Sequence, residues 1–533
     1  MRQKLYNFTT RSIKLFFYFL FTLAFIFALT SPNLILGDNH INGIGTTIVT
    51  TVILIIAFAI GLTLYISPGA QHLAHRVFIE QRWHTATYCF LLAIFVQAFL
   101  ITFIHPAIGF DTSAVHNAIR NPNTIANIGY FSVNPNNLDL LLIQHWVAQQ
   151  FHQTSWLFFD IVTTFLVDLS AVLNILSIAA INKDRVPTGL YIHALWLVCF
   201  PSILVPYTDT WALPFVSAYL LCYCVTAYST APKLLKGITA LLFGIFAVAA
   251  YFIKPSSLIP VIAIAIIEVI HLLLYPRKHQ WWWIMLLAIF FVGSTAGSYH
   301  VEQQIVKNQT LIRIYSFRAK PMVHFINMGL SGHGGYNAHD SLVMVSTMSK
   351  KKRIAYSENS IKKRLKKMGP TGYLKFLFMK HRYNTADSSF GWAMQDDALV
   401  GNPPPTKKPG IRRTIQEFIY LYGNNLGDFR FMTQIWWVLG LGLILFAWRD
   451  NRKVLQVLRL AILGGFLFLL GFEGGRTRYL IQFLPVFLLL ATLGFTAATQ
   501  EFKHWFGWMG AASRPDKSSS SDPTSTKKPL ESK

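Results

Sequence analysis

The chain is dominated by long apolar runs that are separated by short polar segments. Twelve runs approach the roughly 20 residues that a helix needs to cross a bilayer core. They cover about 15–36, 45–67, 86–104, 155–181, 187–206, 211–228, 236–253, 257–275, 281–299, 432–448, 454–472 and 479–498. Since 53% of the residues are hydrophobic and only 13% are charged, a soluble domain is excluded. The sequence therefore predicts an all-α polytopic membrane protein with about 12 transmembrane helices.

The distribution of lysine and arginine predicts the orientation of the chain, because cytoplasmic loops carry an excess of both residues. With the N-terminus inside, the inside segments hold 21 lysines and arginines. The short outside segments hold only Arg120, Lys254, Arg476 and Arg478. The sequence therefore predicts a multi-pass protein of the plasma membrane, with both termini in the cytoplasm.

The runs and loops divide the chain into six parts. These are N-terminal anchor spans (1–104), a first large outer loop (105–154), spans four to nine (155–299), a basic outer domain (300–430), C-terminal spans (431–500) and a disordered cytoplasmic tail (501–533). Stretches such as SAVHNAI predict interfacial helices in the first loop. We expect the outer domain to have mixed secondary structure.

The outer domain is strongly basic, with 21 lysines and arginines against 8 acidic residues. Its clusters, KKKR at 350–353 and KKRLKK at 362–367, are typical of a solvated face, or of a surface attracted to anionic lipid and wall polymer. A sharper hypothesis is that one or two of these cations contact a phosphate. The overall net charge of +24 is divided between membrane edges and this domain, which argues against a nucleic-acid partner.

Charged residues recur in the segments predicted to face outside, while the flanking spans carry almost none. Asp111 follows the third run in HPAIGFDTSAVHNAIR. Three further turns add Asp209 in PYTDTW, Lys254 in IKPSS, and Glu473, Arg476 and Arg478 in FEGGRTRYL. Ionisable groups at membrane depth are costly and usually face a cavity. One charged turn would simply reach headgroup water, but four together predict a polar cavity at the outer end of the bundle.

Such a cavity suits a sugar that is carried on a polyprenyl phosphate. The lipid tail lies between spans, the phosphate needs arginine or lysine, and an acceptor hydroxyl needs a base. The sequence has no P-loop and no GxGxxG motif, so it gives no sign of a nucleotide site. The motif GHGG at 332–335 fits neither pattern.

Six strings in order along residues 100–490 carry a resemblance to a known group of enzymes. They are GFDTSAV, YFSVNPNNLDLLL, PYTDTWALPF, FIKPSSLIPVIA, HFINMGLSGHGGYNAHD and EGGRTRYLIQFLP. The plan resembles the GT-C superfamily of polytopic glycosyltransferases, whose first outer loop begins with an acid and a membrane-parallel segment. The strings themselves are similar to those of a Gram-positive bacterial family of integral membrane glycosyltransferases, some of them exosortase-associated.

The resemblance implies a reaction and a catalytic residue. A sugar moves from a polyprenyl-phosphate-linked donor to an extracytoplasmic glycan, wall polymer or protein, by inverting direct displacement at an active site that faces outside. Asp111 corresponds to the first-loop acid, whose implied role is the general base for the acceptor hydroxyl.

Other charged and polar residues are candidates for binding. Guanidinium and ammonium groups suit phosphate oxygens, so the donor-phosphate candidates are Arg476, Arg478 and Lys254. The candidates for orienting these cations or for binding sugar and acceptor are Asp209, Glu473, Asn136, Asn137 and Tyr336. No cofactor is required by this scheme, and the sequence leaves a divalent metal open. The spacing of His324, His333 and His339 fits no local zinc pattern.

Two other interpretations remain open at this point. A polysaccharide polymerase or ligase also acts on lipid-linked sugars outside the cell, and the first-loop acid with its membrane-parallel segment argues for the GT-C interpretation instead. A secondary transporter also has about twelve spans, but it would more often show two matching halves. Here an outer domain of about 130 residues interrupts the second half.

Overall fold

The computed structural model describes residues 2–41, 43–274, 281–392 and 399–506. Those ranges contain α-helices, short 3-10 turns and loops, and no β-strand. The helices are α1 (Arg2–Leu29), α2 (Ile48–Ile66), α3 (Pro68–His75), α4 (Arg82–Phe103), α5 (Phe110–Arg120), α6 (Ile125–Val133), α7 (Leu138–Phe151), α8 (Trp156–Ile181), α9 (Val186–Val198), α10 (Thr208–Trp211), α11 (Leu213–Tyr228), α12 (Lys233–Ile253), α13 (Ile259–Leu274), α14 (Trp281–Asn308), α15 (Met322–Met328), α16 (Ala338–Ser346), α17 (Lys350–Thr385), α18 (Ile411–Ile419), α19 (Leu426–Phe446), α20 (Lys453–Gly471) and α21 (Leu484–Phe506).

Eleven helical segments of the described ranges are long and apolar enough to cross a membrane, one fewer than the sequence predicts. The difference is the run 187–206. Its helix α9 has 13 residues, or about 20 Å, which is shorter than a bilayer core. Phe200 is extended before Pro201, and a 3-10 turn at Pro201–Leu204 completes the segment. The protein is thus a polytopic helical membrane protein, and this segment is not a single spanning helix.

The core of the bundle lies around the C-terminal helices. Helix α21 packs against α8, α9, α19 and α20, and most of its side chains are buried. Helix α14 has no buried side chain and packs on α12, while α2 buries only Thr50. The apolar side chains of α2 and α14 therefore face outward, as expected for helices that contact lipid.

Three short helices fill the first large loop, and local sequence signals set their limits. The Thr124 side chain caps α6 by accepting a hydrogen bond from the backbone N–H of Asn127. A 3-10 turn at Pro135–Asn137 separates α6 from α7, and α7 ends at His152 in the left-handed conformation. The predicted helical character of this loop agrees with the structure.

The segment 300–430 differs from the mixed structure that the sequence led us to expect. Its described residues form the end of α14, helices α15 to α18, the start of α19, a 3-10 turn and loops. An isolated bridge joins Leu399 to Ile108 of the first loop. Helix α17 contains both basic clusters and bends at Gly369, which has a φ of 61° and precedes Pro370.

The predicted tail begins later than residue 501, because α21 continues to Phe506. Residues 507–533 lie outside the described ranges.

The charged turns that the sequence predicts to face outside meet at one end of the bundle. Ion pairs join Asp209 to Lys254 and to Arg478, although these residues are far apart in sequence. Tyr207 brings Asp111 to the same place. We call the end that holds Asp111, Asp209, Lys254 and Arg478 the site end.

Candidate functional site

Asp111 lies in the first turn of α5, at the site end. Gly109 is the N-cap residue, and Phe110 has a φ of 52°, so the chain turns sharply just before the acid. A carboxylate in the first turn of a helix is stabilised by the helix dipole. The Asp111 side chain is half-buried, so it remains accessible while its surroundings restrict its orientation.

Two tyrosines and an asparagine hold the Asp111 carboxylate. Tyr130 Oη donates to Asp111 Oδ1 at 2.8 Å, and Tyr207 Oη lies 3.4 Å from Oδ2. Asn137 Nδ2 donates to Tyr130 Oη at 2.6 Å, while Asn137 Oδ1 accepts from Tyr207 Oη at 3.1 Å. Burial raises the pKa of Tyr130 well above its usual value, and Tyr207 and Asp111 add to the effect. The phenol therefore remains a hydrogen-bond donor at neutral pH.

Asp209 forms a buried ion cluster with two cations. Its side chain is 2% exposed, Lys254 Nζ contacts Oδ1, and Arg478 Nε lies 3.3 Å from Oδ2. The Arg478 guanidinium also lies 5.6 Å from the centre of the Tyr207 ring. A buried charge is costly unless it has a partner, so Asp209 compensates both cations. The cluster is joined to the Asp111 network through Tyr207.

Glu473 interacts with the same two cations. Tyr479 Oη donates to Glu473 Oε1 at 3.0 Å, and the Tyr479 ring lies 5.4 Å from Lys254 Nζ and 5.5 Å from the Arg478 guanidinium. Burial raises the pKa of Glu473, and the hydrogen bond from Tyr479 and the charge of Arg478 only partly oppose this shift. The carboxylate is therefore part of the cluster rather than a solvated surface group.

Arg476 and Lys320 are the cations that act on Asp111. Burial lowers the pKa of Arg476, and the Asp111 carboxylate is among the groups that oppose this shift. Burial likewise lowers the pKa of Lys320, while Asp111 and Glu473 raise it. Lys320 Nζ also donates to Asn134 Oδ1 at 2.9 Å, which places it beside the 3-10 turn that carries Asn137. A negatively charged group near Asp111 would meet both cations.

The loop that carries Glu473 and Arg476 is held by close backbone contact with the GHGG motif. Gly475 has a φ of 73°, and a Cβ atom there would lie 2.4 Å from the carbonyl oxygen of His333. Gly474 N donates to the carbonyl of Gly334 at 2.8 Å. Lys380 Nζ fastens the two segments by donating to the carbonyl oxygens of Gly329, Leu470 and Phe472. The glycines of GHGG therefore position the loop.

All nine site residues that the sequence singles out lie at the site end. All of them belong to one connected network of hydrogen bonds, ion pairs and charge interactions. Seven form its inner part: Asp111, Asn137, Asp209, Lys254, Glu473, Arg476 and Arg478. The other two lie at its exposed rim. Asn136 is exposed and donates to Asn137 Oδ1 at 3.3 Å, and Tyr336 is exposed beside Arg476.

Sequence reasoning missed four residues of this network, namely Tyr130, Tyr207, Lys320 and Tyr479. The three tyrosines sit within strings that the sequence singles out, YFSVNPNN, PYTDTW and GGRTRYL, but tyrosine in an apolar stretch is an ordinary core residue. Lys320 is one of 21 basic residues in its domain, so composition alone does not distinguish it.

The three histidines considered above have different surroundings. His324 is buried in α15, and burial lowers its pKa to about 4. His333 stacks on Tyr383 with ring centres 3.9 Å apart, and His339 is exposed. Within the part of the chain that the structure describes, no three His, Cys, Asp or Glu side chains lie close enough together to hold a metal ion.

The fold and its network of ionisable groups define a multi-pass integral membrane protein with a polar site at one end of the bundle. The family model of the conserved hypothetical integral membrane proteins matches residues 5–499, so the chain belongs to that family. No curated protein matches the chain, and no solved structure matches it.

Proposed function

We propose that the protein is a membrane glycosyltransferase of the GT-C type. It moves a sugar from a polyprenyl-phosphate-linked donor to an extracytoplasmic acceptor, which is a cell-surface glycan, a wall polymer or a protein. The site end faces the outside of the plasma membrane, and the reaction proceeds by inverting direct displacement.

One observation carries the proposal: a half-buried carboxylate, oriented by two phenols, lies beside cations that come from separate loops. Asp111 interacts with Arg476 and Lys320, and Tyr207 connects it to the cluster of Lys254, Asp209 and Arg478. Transfer from a phosphate-linked sugar needs a base for the acceptor and positive charge for the leaving phosphate. Both requirements are met within one network.

Asp111 acts as the general base in this reaction. The acceptor oxygen attacks the anomeric carbon, the acceptor proton passes to the Asp111 carboxylate, and the bond between the anomeric carbon and the phosphate oxygen breaks. Hydrogen bonds from Tyr130 and Tyr207 hold the carboxylate in place. Because its orientation is fixed before substrate binds, less entropy is lost in reaching the reactive geometry.

The cations stabilise the leaving group, since the polyprenyl phosphate gains negative charge as the bond breaks. Arg476 and Lys320 interact electrostatically with Asp111 and are not bound by Asp209, so we assign the phosphate to them first. Lys254 and Arg478 already contact Asp209, which orients them and limits their net charge. Glu473, Asn136, Asn137 and Tyr336 remain candidates for sugar and acceptor hydroxyls.

The decisive experiment measures sugar transfer by the purified protein in lipid. Radiolabelled polyprenyl-phosphate monosaccharides serve as donors, and Asp111→Asn is compared with wild type at equal folded yield. We expect the variant to lose about 10²- to 10⁴-fold in rate, the usual contribution of a general base. Asp184→Asn, an exposed change at the opposite end of the bundle, is the matched control and should leave the rate unchanged.

Other outcomes distinguish the alternatives. If transfer survives Asp111→Asn, the enzyme class stands and the base moves to Asp209 or Glu473. If no monosaccharide carrier donates but lipid-linked oligosaccharides are joined, the protein is a polymerase or ligase. If neither reaction occurs and a solute crosses the membrane instead, the transporter interpretation replaces both.

A further inference from the structure

A second candidate site lies at the end of the bundle opposite the site end. A groove of about 810 Å³ opens between α1, α19 and α21. Apolar and aromatic side chains form its walls, among them Leu15, Phe19, Phe446 and Trp505. Two cations, Arg11 and Lys14, lie at its rim. The catalytic scheme above uses none of these residues.

The two rim cations lie on one face of α1, because residues three apart in a helix are neighbours. Lys14 Nζ donates to Asn451 Oδ1 at 2.9 Å and lies 5.7 Å from the centre of the Trp448 ring. Among the described residues, neither Arg11 nor Lys14 forms an ion pair with a carboxylate. Neither of these two cations is thus bound directly by a carboxylate within the part of the chain that the structure describes.

The neighbouring cation Arg449 is different, because it is already neutralised. Arg449 Nε lies 2.9 Å from Glu501 Oε1, and the same carboxylate accepts from Trp448 Nε1 at 3.3 Å. Asp450 is bound in the same way by Arg452 at 2.7 Å. Unlike Arg449, Arg11 and Lys14 have no carboxylate bound to them among the described residues, and both lie directly beside the apolar groove.

We propose that this groove binds a phospholipid with a net negative headgroup. Its acyl chain covers the aromatic and aliphatic walls, and its phosphate is held by Arg11 and Lys14. Arginine and lysine near a membrane surface attract anionic lipid headgroups. A phosphatidylcholine carries an additional cation that the basic rim repels, so an anionic phospholipid is the better match.

The chain's own C-terminal segment is a poorer occupant. Residues 507–533 follow α21 directly and contain five basic residues against three acidic ones. A segment with net positive charge does not complement a rim of two cations. Charge complementarity therefore favours the lipid over this segment.

Native mass spectrometry of the full-length protein tests the proposal. The protein is titrated in detergent with phosphatidylglycerol, and separately with phosphatidylcholine of the same acyl chains. We expect the protein to retain one phosphatidylglycerol about tenfold more strongly than phosphatidylcholine. The double variant Arg11→Gln/Lys14→Gln should retain the two lipids equally. The single variant Arg11→Gln should reduce the preference for phosphatidylglycerol. Because Arg11 is exposed, this variant should fold normally even if the double variant does not.

The control is Lys233→Gln/Lys236→Gln, a pair with the same spacing at the same end of the bundle but on α12, outside the groove. It should keep the preference. Equal retention of the two lipids, unchanged binding in the double variant, or equal loss in the control would overturn the proposal.

A photoreactive benzoylphenylalanine in place of Phe19 identifies the occupant of the groove directly. A covalent adduct with the mass of phosphatidylglycerol supports the proposal. An intrachain adduct with residues 507–533 would show that the C-terminal segment fills the groove and would overturn it.

Discussion

Two groups of ionic side chains, one at each end of the helical bundle, are held in different ways. At the site end, Asp209 is 2% exposed and contacts Lys254 and Arg478, which come from two other loops. At the opposite end, Arg82 and Asp184 lie 3.7 Å apart, and Asp184 is 79% exposed. The first group is buried between loops, whereas the second is spread over the surface.

This difference separates charges that orient a membrane protein from charges that build a site. A surface pair keeps most of its hydration and contributes little energy. A buried group loses its hydration, so it persists only with a compensating partner. The buried cluster at the site end therefore carries a desolvation cost. Charges that serve only to orient the chain in the membrane can remain hydrated and avoid this cost.

Removing the buried carboxylate should produce the largest loss of stability. Asp209→Asn leaves Lys254 and Arg478 buried without their counterion, and we expect the free energy of unfolding to fall by about 3–5 kcal/mol. The unfolding equilibrium in detergent measures the change. Asp38→Asn, an exposed residue, is the control. A loss below about 1 kcal/mol would mean that the cations have other compensation, and the contrast between the ends would fail.

The spanning helices were largely predictable from the sequence, because a bilayer fixes the length of an apolar helix. Eleven segments have the required length and hydropathy. The twelfth predicted span, 187–206, was wrong, because a hydropathy pattern does not reveal that the helix ends before Pro201. The expectation of mixed structure in the outer domain was wrong for its described residues. Lysine-rich stretches such as that in α17 are compatible with a helix, and no strand pattern supported the expectation.

The site was predictable in its charges but not in its contacts. A charged residue in a turn between two apolar runs is conspicuous, so Asp111, Asp209 and Lys254 could be found without a structure. Tyr130 and Tyr207 could not be assigned, because their role depends on distances between loops that the sequence does not give. The functional roles of all these residues remain predictions.

An effect of opposite sign to that at Asp209, with a defined pH dependence, is expected at Asp139 in α7, which is buried close to Asn137. Burial and then the charge of Glu302 raise its pKa to about 7. The folded protein therefore binds one more proton than the unfolded chain between about pH 4 and 7, and stability falls as pH rises through this window. We expect Asp139→Asn to remove this slope and to stabilise the protein at pH 8 by about 4 kcal/mol.

Unfolding measured from pH 4 to pH 8 tests this prediction, with Asp38→Asn as the exposed control at the same end. An unchanged slope in Asp139→Asn would show that Asp139 ionises as easily in the folded protein as in water. Burial at the site end would then be less complete than the structure indicates, and Asp139 would resemble the exposed Asp184 of the opposite end.

The smallest effect should come from the exposed pair at the opposite end. Arg82 is 45% exposed and Asp184 is 79% exposed, so both remain in contact with water and Asp184→Asn should change the free energy of unfolding by less than about 1 kcal/mol. A double-mutant cycle with Arg82→Gln isolates the pair, and we expect a coupling below about 0.5 kcal/mol that decreases further in high salt. A coupling as large as that at Asp209 would contradict the argument from burial, since distance alone would then determine the strength of an ion pair in this protein.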